Sequence, residues 1–359
     1  MSKNVLMAVY GPIQSDARVM RAARSLYEKG YEVSIISLNS DENFTSQWFS
    51  NIFLRDKRKY LSLLSFWYNT YRIAKSKDIC LLYLHDYYMP LVGKIYKAVT
   101  RRKWAYDAHE LIIPEKRSKT PLRMRFFALL ERISIKSADL VIAANEERLE
   151  VMRKNYHLKK CISVQNISDF SLSTTTNTPK DNIIVYQGAM MKSRHIDFYL
   201  HSQKFLPNDY TLLLVGGGDS IPELKRIAYE MGIENQVIFT GKVSQEEMYN
   251  YGMRAKVGII SYPLEGLNNY YCAPNKIFEY AALKVPMIGT PQPFLKHMFE
   301  KYHIGEIVEW DDTEAYLQAV KKILSNYDSY LTNMDLFLQE NCWDNESQKL
   351  KDAITNILS

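Results

Sequence analysis

The chain has 359 residues, 47% of them apolar and 24% charged, with a net charge of +6. That length predicts two domains, and the composition excludes a disordered or collagen-like polypeptide. Its four cysteines (Cys80, Cys161, Cys272 and Cys342) have neither paired nor zinc-binding spacing, which excludes a disulfide framework and suits reduced thiols in the cytoplasm.

The first element is an apolar run over residues 4–10, which reads as a strand and not as a signal peptide. A loop carrying Gly11 and Asp16 follows it. Further apolar runs at residues 32–38, 80–85, 104–107, 140–144 and 162–165 alternate with amphipathic stretches, the pattern of parallel βα units. None approaches the ~18 apolar residues of a spanning helix.

Two basic clusters sit between these runs. Arg55, Lys57, Arg58 and Lys59 precede Leu61, Leu64, Phe66 and Trp67; Lys116, Arg117, Lys119, Arg123 and Arg125 precede Phe126, Phe127, Leu129 and Leu130. Residues 1–170 hold 29 Lys and Arg against 17 Asp and Glu, a balance of +12, whereas the remainder holds 17 against 23, or −6. Halves so different are expected to meet different partners. Basic residues bordering apolar ones suit an in-plane contact with an anionic membrane surface; two amphipathic helices with solvated basic faces are the plainer alternative. No nucleic-acid partner is expected.

The polar residues 171–181 (SLSTTTNTPKD) read as a linker. Behind them the pattern restarts at residues 182–187, 211–215, 236–240, 256–261, 286–289 and 306–309. The expected fold is α/β: two doubly wound domains, 1–170 and 171–342, facing a cleft, with ligands at the C-terminal ends of the strands. Gly188 follows the first strand of the second domain and Gly217 lies in the glycine run after the next. Both suit close approach of a ligand to the backbone, although sharp turns alone also require glycine.

Residues 274–280 (PNKIFEY) place a helix start at Asn275, a lysine at 276 and a carboxylate at 279. Free amides and the positive end of the helix dipole suit a diphosphate there, and Lys276 adds a full charge. Glu279 shares a face with Lys276 and can accept both hydroxyls of a ribose.

In this setting the chain resembles GT-B-fold glycosyltransferases of the family 4 type, over nearly its whole length. The resemblance is carried by Ser15-Asp16-Ala17-Arg18-Val19, Tyr106-Asp107-Ala108-His109-Glu110, Ala138-Asp139-Leu140-Val141, Val164-Gln165-Asn166, Tyr186-Gln187-Gly188 and, most specifically, PNKIFEYAALKVPMIGT. Trp343 and the amphipathic stretch 343–359 look like the terminal helix that crosses back onto the first domain. Three positions depart from the family pattern. Tyr271 stands where a first glutamate is usual, and Ala189 and Arg194 stand where Arg and Lys are usual. Lys276 is expected to supply the missing charge.

The resemblance implies transfer of a sugar, with retained configuration, from a UDP- or GDP-linked donor to a lipid-linked or oligosaccharide acceptor, as in the building of a capsule or O-antigen. Arg194, Lys276 and Glu279 would bind the donor with Gly188, Gly217 and Asn275, and His109 would contact the donor sugar or its phosphate. Gly11 and Asp16 would line the acceptor side, although Asp16 or Ser15 serves equally as a helix cap. His85-Asp86 is a further candidate pair at a strand end, and Tyr262, Tyr270 and Tyr271 could shape the sugar pocket. No cofactor is expected, and no metal, since no Asp-x-Asp occurs; cations and amides would then meet the leaving charge. The expected location is cytoplasmic, on the inner face of the membrane. Two other readings fit the same architecture: a nucleotide-sugar epimerase, for which Glu110 and Glu115 are the available carboxylates, and a non-catalytic sugar-nucleotide-binding partner.

Overall fold

A computed structural model describes residues 3–56, 61–115, 120–167 and 179–359. The chain divides into two compact units, residues 1–166 with 343–359, and residues 167–342. Most of the polar stretch 171–181 lies outside the described residues, as do Lys57, Arg58, Lys59, Lys116, Arg117 and Lys119 of the two basic clusters.

The first unit begins with β1 (Asn4–Val9), α1 (Ala17–Glu28), β2 (Glu32–Leu38), β3 (Ser50–Leu54) and α2 (Ser62–Ser76). It continues through β4 (Leu81–His85), α3 (Pro90–Thr100), β5 (Trp104–Ala108), α4 (Leu122–Ser134), β6 (Leu140–Ala143), α5 (Glu146–Tyr156) and β7 (Cys161–Ser163). These strands pair in parallel in the order β3-β2-β1-β4-β5-β6-β7. β1, β4, β5 and β6 are almost wholly buried and mostly apolar, with His85 and Asp107 the buried polar exceptions, because a parallel sheet is covered on both faces. β3 has no counterpart among the sequence-predicted strands. SNIFL at the sheet edge is exposed at Ser50 and half-buried beyond it, and has only a short apolar signal.

The second unit runs through β8 (Ile183–Gln187), α6 (Ile196–Gln203), β9 (Thr211–Val215), α7 (Ile221–Glu230), β10 (Val237–Gly241), α8 (Gln245–Met253) and β11 (Val257–Ile260). It continues with α9 (Leu267–Tyr270), α10 (Lys276–Ala282), β12 (Met287–Gly289), α11 (Pro293–Tyr302), β13 (Gly305–Ile307), α12 (Thr313–Ser325) and α13 (Tyr327–Glu340). Its parallel sheet has the order β10-β9-β8-β11-β12-β13. The α/β, doubly wound reading thus holds for both units.

The last helix, α14 (Trp343–Leu358), belongs to the first unit. Trp343, Leu350, Ile354 and Ile357 enter the same buried cluster as Val19, Ala22 and Leu26 of α1. Polar contacts set its register: Glu346 accepts from the Gln165 amide at 2.8 Å, the Ser347 and Ser25 hydroxyls lie 2.7 Å apart, and Lys351 pairs with Glu28 at 3.0 Å. Among the described residues no helix is long and apolar enough to cross a membrane.

Candidate active site

Each sheet reverses its winding once, and the candidate residues gather at those two points. In the first unit the chain leaves β1 toward β2 on one side and β4 toward β5 on the other. Loops after adjacent strands that wind apart leave an open crevice at the carboxyl edge of a sheet. Gly11 and Asp16 leave β1, His85 ends β4 with Asp86 next, and Asp107 and His109 end β5.

Asp107 is the hub of this group and is buried. Arg18, from the first turn of α1, donates to its Oδ1 through Nε (3.1 Å) and Nη2 (2.7 Å), and Tyr83 donates to Oδ2 at 3.0 Å. The third arm of Arg18, Nη1, donates to the Val164 carbonyl at 2.8 Å. Burial opposes the charge on Asp107, but the Arg18 guanidinium outweighs it and holds the carboxyl down at about 2.

His85 stacks on Tyr83, ring centroids 4.5 Å apart, and its Nδ1 is 3.6 Å from Asp107 Oδ2. Burial lowers its pKa to about 3, so it is neutral and this contact is polar, not ionic. The same Nδ1 lies 3.2 Å from His109 Nε2, so the two rings share one proton between those atoms. His109 is itself lowered by burial. Its Nδ1 faces Asp16 Oδ2 at 3.8 Å, and its carbonyl accepts from Arg148 at 2.8 Å.

Asp16 therefore has two roles. Its Oδ1 caps α1 by accepting from the Val19 amide at 3.1 Å, while Oδ2 points at His109. Ser15 does not cap; its hydroxyl returns to the Pro12 carbonyl. Asp86 sits in the left-handed region (φ 68°), and burial pushes its carboxyl up to about 7. Glu110, beside it, is exposed.

His85, Asp107 and His109 bring their ligand atoms within 4.8 Å of one another. The arrangement fits a hydrogen-bonded cluster better than a metal centre. Arg18 already neutralises Asp107, and a cation there would face the guanidinium.

In the second unit the winding reverses between β8 and β11. Gly188 and Arg194 follow β8, while Ser261, Tyr262 and the start of α10 follow β11. Arg194 lies with its guanidinium 3.8 Å from the centroid of the Tyr262 ring and donates to the Ser261 carbonyl at 3.1 Å. Ser261 Oγ donates in return to the Arg194 carbonyl at 2.6 Å and accepts from Trp310 Nε1 at 3.0 Å; the Trp310 ring stacks on His195 at 4.0 Å. Burial raises the Tyr262 hydroxyl, Arg194 pulls it back, and Cys272 and Glu279 push it further up. Arg194 and Glu279 thus both act on one phenol.

Lys276 and Glu279 form an ion pair across one turn of α10, and Lys276 Nζ is also 3.7 Å from Met248 Sδ. The shared face expected from the i,i+3 spacing is therefore real. The expected row of free amides is only partly so, because those of Ile277, Phe278 and Glu279 are already bonded to the Pro274 and Asn275 carbonyls. Tyr270 and Tyr271, at the end of α9, pack edge to face at 4.9 Å.

The glycine run is built for backbone against backbone. A Cβ on Gly216 would sit 2.1 Å from the Gly188 carbonyl oxygen, and one on Gly218 would sit 2.2 Å from that of Met190. The loops after β8 and β9 are zipped by Met190 N–H to Gly217 O (2.9 Å) and Ser220 N–H to Met190 O (3.1 Å). Gly217 itself meets only ordinary contact with Lys242.

Sequence reasoning had passed over Arg18, Tyr83 and Asp107 as parts of the site, and Ser261 and Trp310 beside Arg194. Arg18 and Asp107 lie within two of the motifs quoted above, which was the available signal. Nothing linear points to Trp310.

The first unit matches the family model described as Glycosyltransferase Family 4 over residues 17–166, and the second matches the model described as Glycosyl transferases group 1 over residues 181–326. The chain belongs to these glycosyltransferases. Among members of known sequence it is 25% identical over 277 residues to TuaH of Bacillus subtilis, assigned by its name to the teichuronic acid biosynthesis glycosyltransferases. It is 20% identical over 207 residues to an uncharacterized glycosyltransferase of Haemophilus influenzae. The matched stretches cover 70% and 56% of this chain but only 65% and 56% of those two relatives. Among solved structures, Anabaena HepE in complex with UDP has a TM-score of 0.77 at 15% identity, covering 99% of this chain and all of that one. WaaG, a glycosyltransferase involved in lipopolysaccharide biosynthesis, has a TM-score of 0.71 at 15% identity, covering 98% and 99%. The fold of this glycosyltransferase is accordingly GT-B.

Proposed function

We propose that the protein transfers a sugar from a nucleotide-diphosphate sugar to a glycan acceptor during assembly of a surface polysaccharide. The observation that carries this reading is the grouping of Arg194, Tyr262 and the Lys276–Glu279 pair at the winding reversal of the second sheet. Glu279 accepts the ribose hydroxyls. Lys276, released from Glu279 when those hydroxyls bind, turns to the diphosphate beside Arg194. The complexes of HepE with UDP and with UDP-glucose favour a uridine donor over a guanosine one. The name of TuaH favours a cell-surface polymer as the product class.

In the reaction the acceptor oxygen bonds to the anomeric carbon as the carbon–phosphate-oxygen bond breaks. The acceptor proton passes to the departing phosphate oxygen on the same face, so configuration is retained. Fixed cations stabilise the growing charge in place of a divalent ion. In the first unit, His109 is fixed through Nε2 by His85, which leaves its Nδ1 edge and Asp16 for substrate. The acceptor is lipid-linked, and the protein works at the cytoplasmic face of the membrane; the free state of all four cysteines fits that compartment.

The test is release of nucleoside diphosphate from UDP- and GDP-sugars, with and without lipid extract, in the presence of a chelator. Acceptor-dependent release is expected. Isomerised donor without release would instead identify an epimerase, and binding alone a non-catalytic partner. Lys276→Ala should raise the donor Kd severalfold, measured by calorimetry; unchanged affinity would remove Lys276 from the phosphate site.

A further inference from the structure

We infer that the outer face of α2, α3 and α4 is a membrane-docking surface that seats the first unit in the plane of an anionic bilayer. The inference rests on the proposed lipid-linked acceptor and adds to it the face, its anchors and its mode of contact. α3 packs between α2 and α4, and right-handed crossovers put all three on one side of the sheet.

α4 carries an apolar row at helical spacing that lies outside the core. Leu122, Phe126, Leu129 and Ile133 are between 47% and 84% exposed, while Phe127, Ala128 and Glu131 on the opposite side are buried. The neighbouring helices extend the row, with Leu64 and Tyr68 on α2 and Ile95 and Val99 on α3 each about half exposed or more. Isolated exposed apolar residues need no explanation, but eight on three adjacent helices form a patch that marks a contact.

Charge selects the partner. The three helices contain seven basic residues and a single acidic one, Glu131, which is buried. Lys97 is paired with Asp139, and the Lys94 ammonium donates to the Ile133 carbonyl at the end of the α4 row. Arg123, Arg125 and Arg132 of the same helix are exposed, Arg123 lying over the Tyr88 and Phe127 rings. A face with no exposed acid cannot pair with a second copy of itself without opposing like charges. Leucines and a phenylalanine ringed by arginine, with a tyrosine at the margin, match an acyl boundary beneath anionic headgroups.

Of the residues that the sequence assigned to such a contact, Leu61, Leu64, Phe126 and Leu129 are exposed, whereas Phe66 and Phe127 are core. The Lys and Arg of both basic clusters that fall outside the described residues are not needed.

The experiment is sedimentation of the full-length protein with vesicles of phosphatidylcholine alone or mixed with phosphatidylglycerol, at low and high salt, alongside calorimetry of donor binding. Binding is expected only to the mixed vesicles, and it should weaken as salt rises. Reversing Arg123, Arg125 and Arg132 to Glu should lower it by at least about a hundredfold. Replacing Phe126, Leu129 and Ile133 by Ser should lower it by about tenfold or more. Both variants alter exposed side chains, so donor affinity should not change; melting temperature is checked alongside, because Arg123 also donates to the Tyr88 hydroxyl at 3.2 Å and lies over the Phe127 ring. Absence of binding by the folded wild type, equal binding to neutral vesicles, or variants that bind like wild type would overturn the inference. Vesicle binding by a protein that binds no nucleotide sugar would sink the transferase reading instead and leave the docking face standing.

Discussion

Asp107 receives its hydrogen bonds from α1 and β4, so one carboxylate joins two elements to β5. Removing one member of a buried pair leaves the other charged and unpaired, whereas an exposed pair contributes little. Asp107→Ala should therefore destabilise the first unit by roughly 3–5 kcal/mol in urea unfolding, because Arg18 has no water to turn to. A loss below about 1 kcal/mol would mean that Arg18 finds another acceptor. Because Asp107 is held near 2, its contribution is full above the ordinary carboxylate range and fades as pH falls through about 2. His109 was legible in the sequence, since its motif marks a strand end. The atom it presents was not, because that depends on His85 arriving from another strand at 3.2 Å.

Three elements meet at Glu131. Tyr106 of β5 and Tyr156 of α5 donate to its two oxygens at 2.6 and 2.5 Å, tying α4 to both. Burial outweighs these donors and raises the carboxyl to about 7. A carboxyl whose folded pKa lies above its unfolded one stabilises fully below the unfolded value of 4.5. That stability is lost as pH rises through about 7, amounting to roughly 3 kcal/mol. Glu131→Gln cannot ionise, so stability profiles of variant and wild type should converge or cross as pH rises from 4.5 to 7. Parallel profiles would show that Glu131 is already charged in the fold. At this scale the sequence was readable where an element was mostly buried. β2 and β9 fall at their sequence-predicted bounds because most of their residues are apolar and buried. β3 escaped because it lies at the sheet edge and is less buried than the central strands, and in the glycine run the neighbouring loop occupies the space at Gly216 and Gly218 but not at Gly217.

For the molecule as a whole, α14 is the element on which the first unit depends from the farthest point in sequence. Four of its large apolar residues, Trp343, Leu350, Ile354 and Ile357, lie in the core cluster of that unit. Burying each contributes about 1.5–3 kcal/mol, a sum comparable to the net stability of a domain. Residues 1–166 alone should therefore be insoluble or partly folded on expression. Fusing residues 343–359 through a flexible linker should restore a cooperative thermal transition. A cooperative transition in residues 1–166 alone would show that α14 is dispensable.

By itself the sequence determined the two parallel sheets, the family to which the chain belongs and the basic character of the first half. The sheets and the charge follow from composition and from periodicity within a few dozen residues, which local physics sets, and the family from the motifs quoted above. Only the tertiary structure decided which charges are already paired, which glycines are filled by backbone and which aromatic residues of the basic half are core and which face solvent. Those outcomes depend on contacts between residues far apart in the chain, and no local pattern encodes which partner comes within 3 or 4 Å.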